Sequence, residues 1–150
     1  MKIGVPKEIK PQENRIGLTP ESVKTLVSEG HEVLVENNGG FEAGFDNDQY
    51  KEAGAKIVEQ ASDIFNDAEI IVKVKEPQKV EVEMIRENQI VYTYLHLAAA
   101  KELTEGLVKT KSINIAYETV TDDNGRLPLL APMSAVAGRM SVQAGAHCLE

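Results

Sequence analysis

The sequence predicts an α/β fold, in which an open, mostly parallel, doubly wound sheet has helices on both faces and a long helix follows the last strand. Short segments rich in Val and Ile alternate with helical segments along the chain. Gly, Pro and Asn separate these segments. Strands that alternate with helices pair in parallel, since each helix crosses over one face of the sheet.

Six apolar segments are predicted as strands, and Pro77 ends the fourth because proline cannot donate a ladder hydrogen bond. The predicted strands are Ile3–Val5, Glu32–Val35, Lys56–Val58, Ile70–Val74, Gln89–Tyr94 and Ile113–Tyr117. This pattern is typical of Rossmann-like or flavodoxin-like sheets.

The first helix has the clearest boundaries, because Thr19 is suited to the N-cap and Pro20 to the first turn, while Gly30 is suited to a C-terminal stop. The other predicted helices before residue 130 are Asp48–Ala53, Ser62–Phe65, Val80–Glu87 and Lys101–Thr110. Asn124-Gly125 predicts a tight hairpin turn.

A final helix is predicted to start at Pro132 and to run to the last residue. One of its faces has mostly small residues, which predicts close packing against another backbone: Ala135, Gly138, Val142, Gly145 and Leu149. No stop signal follows. We therefore expect an incomplete domain over residues 1–130 and the beginning of a crossover helix over residues 131–150, both from a longer protein.

The composition excludes several classes of protein. The 16 basic and 24 acidic residues give a net charge of −8, which argues against a nucleic-acid partner. A single cysteine, Cys148, excludes an internal disulfide framework. No uncharged run is long enough to cross a membrane, and the N-terminus lacks the features of a signal peptide. A cytoplasmic globular protein is expected.

Four polar residues follow predicted strands, where parallel α/β sheets bind their ligands. Arg15 lies after the first strand, Lys75 closes the fourth, His96 follows the fifth, and Glu118 follows the sixth. Arg binds carboxylates, Lys can polarise a carbonyl group, and His serves as an acid or base near neutral pH. A small anionic keto or amino acid fits this set.

Each residue also has a structural interpretation. Arg15 and Lys75 are compatible with ordinary surface charges. His96, between two leucines, is compatible with a core histidine, and Glu118 with a structural role. Ser134 in the first turn of the last helix could face a ligand or simply cap the helix. The sequence contains neither the Gly-x-Gly-x-x-Gly dinucleotide motif nor a Walker loop, and no metal site is expected.

Several motifs in the same order resemble the alanine dehydrogenase family over nearly the whole chain. They are Pro6-Lys7-Glu8, Glu13-Asn14-Arg15-Ile16-Gly17-Leu18-Thr19-Pro20, Val72-Lys73-Val74-Lys75-Glu76-Pro77, Thr93-Tyr94-Leu95-His96-Leu97-Ala98, Ala116-Tyr117-Glu118-Thr119-Val120 and Leu129-Leu130-Ala131-Pro132-Met133-Ser134. The NAD(H)-binding part of proton-translocating transhydrogenase and, more distantly, saccharopine dehydrogenases are similar, but the transhydrogenase part lacks the Tyr-Leu-His-Leu match.

The resemblance implies reversible, NAD-dependent conversion of L-alanine to pyruvate and ammonium by a hexameric enzyme. Arg15 would bind the substrate carboxylate, Lys75 would polarise the keto or imine group, and His96 would be the acid/base. Ser134 would contact NAD at the crossover from the substrate-binding domain to a nucleotide domain. An aspartate of that nucleotide domain would also be needed, so residues 1–150 alone are expected to be inactive. The alternatives are a part of a transhydrogenase and a non-catalytic assembly module of the same fold, and the physiological direction stays open.

Overall fold

All six predicted strands are present in the computed structural model, which describes all 150 residues. The strands are β1 (Lys2–Val5), β2 (Glu32–Glu36), β3 (Lys56–Val58), β4 (Ile70–Val72), β5 (Ile90–Thr93) and β6 (Ile113–Ala116). The helices are α1 (Pro20–Ser28), α2 (Asn47–Glu52), α3 (Ala61–Asp67), α4 (Lys79–Val82), α5 (Lys101–Thr110) and α6 (Ala131–Cys148). Three short 3₁₀ helices are Phe41–Ala43, Leu97–Ala99 and Tyr117–Thr119.

The strands form one sheet in the order β3-β2-β1-β4-β5-β6. The pairs β1–β2, β1–β4, β2–β3 and β4–β5 are all parallel. The chain adds strands to one side of β1 and then to the other, which makes the sheet doubly wound. The predicted open, parallel α/β fold is therefore confirmed.

The two faces of the sheet pack against different helices, since successive strand residues point to opposite sides. Val5 of β1 belongs to an apolar cluster with Val23 of α1 and Tyr50 of α2. At Gly4 an added Cβ would lie 2.4 Å from Cγ2 of Ile64 in α3. Glycine at this position therefore lets α3 pack directly against β1.

Helix α1 begins as its sequence predicts. The Thr19 side chain accepts a hydrogen bond from the Ser22 amide at 3.3 Å, and Pro20 is the first helical residue. This satisfies one of the amides that a helix start leaves without a partner. Gly30 follows the helix with φ of +85°, a conformation that favours glycine.

Strand β4 is shorter than predicted, because it ends at Val72 and not at Val74. Hydrogen bonds to the β5 segment continue, since the Lys73 amide donates to the Tyr92 carbonyl at 3.1 Å and the Tyr94 amide donates to the Val74 carbonyl at 3.3 Å. Lys75 therefore does not close the strand but lies three residues beyond its end.

Helix α4 is also shorter than predicted and ends at Val82, where the prediction extended to Glu87. The chain continues through turns, and Asn88 has a left-handed backbone with φ of +64°. The helical hydrogen bonds stop before it, since the Arg86 amide donates to Gln89 Oε1 at 3.1 Å. The remaining predicted bounds agree with the observed ones to within two residues.

The chain comprises two compact units, Met1–Ile115 with the sheet and Ala116–Glu150 with α6. In the second unit, the Asp122 amide donates to the Arg126 carbonyl at 2.9 Å, around a turn with Gly125 at φ of +72°. The predicted turn at Asn124-Gly125 is therefore present, but no strands flank it, so it is not a hairpin.

No atom lies within 4 Å of an added Cβ at Gly138 or Gly145, so the packing predicted for the small-residue face of α6 stays a prediction. No helix combines the length and apolar character that spanning a bilayer requires.

Candidate functional site

Three of the predicted site residues lie beyond the carboxyl ends of neighbouring strands. Arg15 follows β1, Lys75 follows β4 and His96 follows β5, and these strands are adjacent in the sheet. Because the pairs β1–β4 and β4–β5 are parallel, their carboxyl ends lie at one edge. The predicted common edge is therefore present for these three residues.

The loop that contains Arg15 packs against the end of β4. Ile16 is buried, and at Gly17 an added Cβ would lie only 2.5 Å from the Val72 carbonyl oxygen. The absence of a side chain at Gly17 thus lets the loop backbone approach β4 closely. Glycine at position 17 therefore sets the distance between the Arg15 loop and the segment that leads to Lys75.

The guanidinium group of Arg15 forms a bidentate ion pair with Glu13. Nε donates to Glu13 Oε1 at 2.8 Å and Nη2 donates to Oε2 at 2.7 Å. The Arg15 side chain is 56% exposed. Glu13 thus uses the Nε–Nη2 edge, so that a second carboxylate would bind the edge formed by Nη1 and Nη2.

The hydrogen-bonded ion pair shifts the pKa values of both Glu13 and Arg15. Hydrogen bonding to Arg15 holds the pKa of the Glu13 carboxyl at about 2, with a smaller lowering by the positive charge of Lys75. Glu13 in turn raises the pKa of Arg15. Glu13 therefore stays ionised at neutral pH, and its charge interacts with both proposed substrate-binding cations.

The main chain of Lys75 is bound on both sides. Its carbonyl oxygen accepts a hydrogen bond from Thr93 Oγ1 at 2.9 Å, and its amide lies 3.4 Å from Glu8 Oε1. The side chain is 22% exposed, with Nζ 4.0 Å from Glu76 Oε2. Lys75 therefore presents a partly exposed ammonium group from a fixed segment of backbone.

His96 is exposed, which excludes the interpretation as a core histidine. Its backbone is left-handed, with φ of 52° and ψ of 36°, and it precedes the 3₁₀ helix Leu97–Ala99. This conformation is uncommon for residues other than glycine and is enriched at functional sites. Exposure at the end of β5 is compatible with a role in proton transfer.

Glu118 and Ser134 belong to the second unit. Glu118 is half-buried in the 3₁₀ helix Tyr117–Thr119. Ser134 is exposed in the first turn of α6, and its amide already donates to the Leu130 carbonyl at 3.1 Å. The Ser134 hydroxyl fits a single polar contact with a cofactor, and the role predicted for it stays a prediction.

Sequence reasoning missed a buried charged cluster, which consists of Glu8, Lys73 and Glu81. Lys73 Nζ lies 3.0 Å from Glu8 Oε2 and 2.8 Å from Glu81 Oε1, and none of the three residues is more than 6% exposed. Burial raises the pKa of Glu81, and the charge of Lys73 opposes this shift. The available signal was a motif, since Glu8 and Lys73 both lie in segments singled out for the resemblance.

A surface groove between α4 and α5 contains none of the three predicted residues; among the residues lining it are Gln78, Lys79 and Lys101. No three His, Cys, Asp or Glu side chains converge as metal ligands. The carboxyl-end edge is the candidate active site, because Arg15, Lys75 and His96 follow three adjacent parallel strands there.

A profile described as alanine dehydrogenase/PNT, N-terminal domain, matches residues 4–137. An alanine dehydrogenase from Staphylococcus epidermidis is 55% identical over all 150 residues. This chain spans 40% of the length of that relative.

Solved structures of the two related kinds of enzyme also superpose on this chain. An L-alanine dehydrogenase superposes on the whole chain with a TM-score of 0.91 and 54% identity, and the match spans 41% of that chain. A transhydrogenase from Sinorhizobium meliloti superposes on 79% of this chain with a TM-score of 0.74 and 28% identity, over 35% of its own length.

Proposed function

The chain belongs to the family of alanine dehydrogenases and pyridine nucleotide transhydrogenases, and we propose that it is the N-terminal, substrate-binding part of an NAD-dependent L-alanine dehydrogenase. The reaction is the reversible oxidative deamination of L-alanine to pyruvate and ammonium. The observation that supports this proposal most directly is the position of Arg15, Lys75 and His96 after three adjacent parallel strands.

Arg15 would bind the substrate carboxylate through the Nη1–Nη2 edge of its guanidinium group. A bidentate ion pair fixes both the position and the plane of a small acid. Glu13 contributes by holding the adjacent Nε–Nη2 edge, so that the guanidinium plane is already oriented before substrate binds. Such orientation lowers the entropic cost of reaching the reactive geometry.

Lys75 would donate a hydrogen bond to the keto or imine group. Its positive charge would favour negative charge on the pyruvate oxygen as ammonia adds. His96 would take a proton from, or return it to, the nitrogen and oxygen atoms at the same carbon. An exposed imidazole has access to water, which the steps of ammonia addition and water loss require.

NAD supplies the hydride acceptor when it is bound. Ser134 is the one residue proposed here to contact it, and its hydroxyl fits such a contact at the exposed first turn of α6. A separate nucleotide domain would hold the remainder of the cofactor. On this proposal residues 1–130 belong to the substrate-binding domain, and residues 131–150 begin the crossover to the nucleotide domain.

The complete enzyme is further proposed to be cytoplasmic and a homohexamer, with no nucleic-acid or membrane partner. The second candidate function is a part of a transhydrogenase, which is supported by the match to the Sinorhizobium meliloti structure. The higher identity and wider coverage of the L-alanine dehydrogenase match favour the first function. A non-catalytic assembly module would have no pyruvate site.

The test uses the full-length enzyme that contains these residues, assayed by NADH formation from L-alanine and, in the reverse direction, by NADH consumption with pyruvate and ammonium. We expect His96→Ala to lower kcat by about 10²-fold or more, the scale of general acid/base catalysis. Arg15→Met and Lys75→Met should mainly raise the KM for pyruvate. His31→Ala is the matched control, since His31 precedes β2 at the amino-end edge of the sheet. An undiminished rate in His96→Ala would remove this residue from the mechanism.

A further inference from the structure

The buried cluster of Glu8, Lys73 and Glu81 is not explained by the proposed chemistry, since none of these residues is assigned a contact with substrate. Removing three ionisable groups from water is costly, and apolar replacements of buried ion pairs are often no less stable. Stability alone is therefore a weak reason for this cluster. Its hydrogen bonds to the main chain offer a more specific one.

The carboxylate of Glu8 connects two segments of the candidate site. Its Oε2 binds Lys73 Nζ at 3.0 Å, while its Oε1 accepts a hydrogen bond from the Val74 amide at 2.6 Å and lies 3.4 Å from the Lys75 amide. Glu8 follows β1 and lies in the same connection as Arg15. One side chain thus fixes the backbone at Lys75 relative to the loop that contains Arg15.

The opposite side of Lys75 is fixed independently by Thr93, the last residue of β5, which donates to the Lys75 carbonyl at 2.9 Å. Thr93 is fully buried. The segment at Lys75 is consequently held between the elements that lead to Arg15 and to His96. This arrangement controls where the ammonium group of Lys75 can reach.

Resting on the proposed function, we infer that Glu8 is a positioning residue of the substrate site, which acts through the main chain at Val74 and Lys75 and does not touch the substrate. Glu81 is also buried and also binds the Lys73 ammonium group, but its main-chain hydrogen bond is to a different segment. It binds Lys73 Nζ at 2.8 Å and accepts from the Gln78 amide at 2.7 Å, at the start of α4. Glu81 is therefore a matched control for Glu8.

The test compares Glu8→Gln with Glu81→Gln in the full-length enzyme. In a glutamine one of the two carboxylate oxygens becomes an NH₂ donor, which must face either Lys73 Nζ or the backbone amide; both of these are donors themselves, so the side chain cannot keep the geometry of the carboxylate. Both variants should lower the midpoint of thermal unfolding by similar amounts. Only Glu8→Gln should lower kcat/KM for pyruvate, by roughly 10- to 100-fold relative to Glu81→Gln, because it releases the backbone at Lys75. The KM for NADH should not change.

A second measurement does not depend on activity. Amide hydrogen exchange at Val74 and Lys75 should be faster in Glu8→Gln than in Glu81→Gln. If the wild-type enzyme converts neither alanine nor pyruvate, the proposed function fails, while the exchange rates still decide whether Glu8 holds this segment. Equal losses of pyruvate efficiency in the two variants, or equal exchange, would overturn the inference. If Glu8→Gln does not fold, Glu8→Asp serves with the same expectations, since it keeps the charge and shortens the reach.

Discussion

The carboxylate of Glu13 is bound by the same guanidinium group that is proposed to bind the substrate. Because hydrogen bonding to Arg15 holds the Glu13 pKa at about 2, against an ordinary value of 4.5, folding favours the ionised form. The stabilisation is present above pH 4.5 and is lost as the pH falls towards 2. The pair is partly exposed, so its contribution is about 1 kcal/mol or less.

Replacing Arg15 by Met should therefore return the Glu13 pKa towards 4.5. Carboxyl titration by NMR measures this shift directly, without reference to turnover. The unfolding free energy of wild type should also fall more between pH 5 and pH 3 than that of Arg15→Met. An unchanged Glu13 pKa in the variant would mean that another group depresses it, and would remove Glu13 from its orienting role.

At the scale of single residues, the sequence did not reveal the surroundings of the candidate site residues. Two leucines around His96 are compatible with a core position, but in the structure the residue is exposed and has a left-handed backbone after β5. Lys73 lies inside the predicted fourth strand, and the sequence indicates no partner for it. Its partner Glu8 is 65 residues away, and no local pattern reveals a contact at that separation.

Among the elements, the contact between the Arg15 loop and β4 leaves no space for a side chain at Gly17. A Cβ at Gly17 would meet a backbone carbonyl oxygen at 2.5 Å, and backbone cannot move aside as a flexible side chain can. Gly17→Ala should displace the loop, lower the unfolding free energy by about 1–3 kcal/mol and raise the KM for pyruvate.

Gly4→Ala is the control for this change. Its Cβ would lie 2.4 Å from Ile64, so the variant should be destabilised as well, but the contact is within the sheet packing against α3. Denaturant unfolding and steady-state kinetics on both variants separate the two effects. A similar rise in pyruvate KM for Gly4→Ala would show that general destabilisation, and not loop position, accounts for the result.

The order and type of the elements could be predicted because hydrophobic periodicity and capping signals are local. The end of β4 could not, because Val74 continues the apolar pattern and hydrogen bonds to the β5 segment continue, although the regular strand stops at Val72. The end of α4 was missed for a related reason. Its helical composition continues to Glu87, but the Arg86 amide donates to the Gln89 side chain, a contact that the helical pattern does not reveal.

For the whole molecule, the chain is proposed to hold one side of a reaction that needs two domains. Hydride transfer requires the nicotinamide ring to lie against the substrate, and these 150 residues contain no Gly-x-Gly-x-x-Gly phosphate loop. We therefore expect residues 1–150, expressed alone, to form no NADH from L-alanine. A circular dichroism spectrum of a folded α/β protein is the control, and robust NADH production would contradict the two-domain proposal.

The hydrogen bonds that hold residue 75 involve its amide and carbonyl groups, not its ammonium group. Any amino acid other than proline placed there would have the same main-chain hydrogen-bonding groups. This makes position 75 suitable for a genetically encoded reporter, such as a fluorinated or isotopically labelled lysine analogue, whose spectrum would follow substrate arrival while the surrounding scaffold stays native.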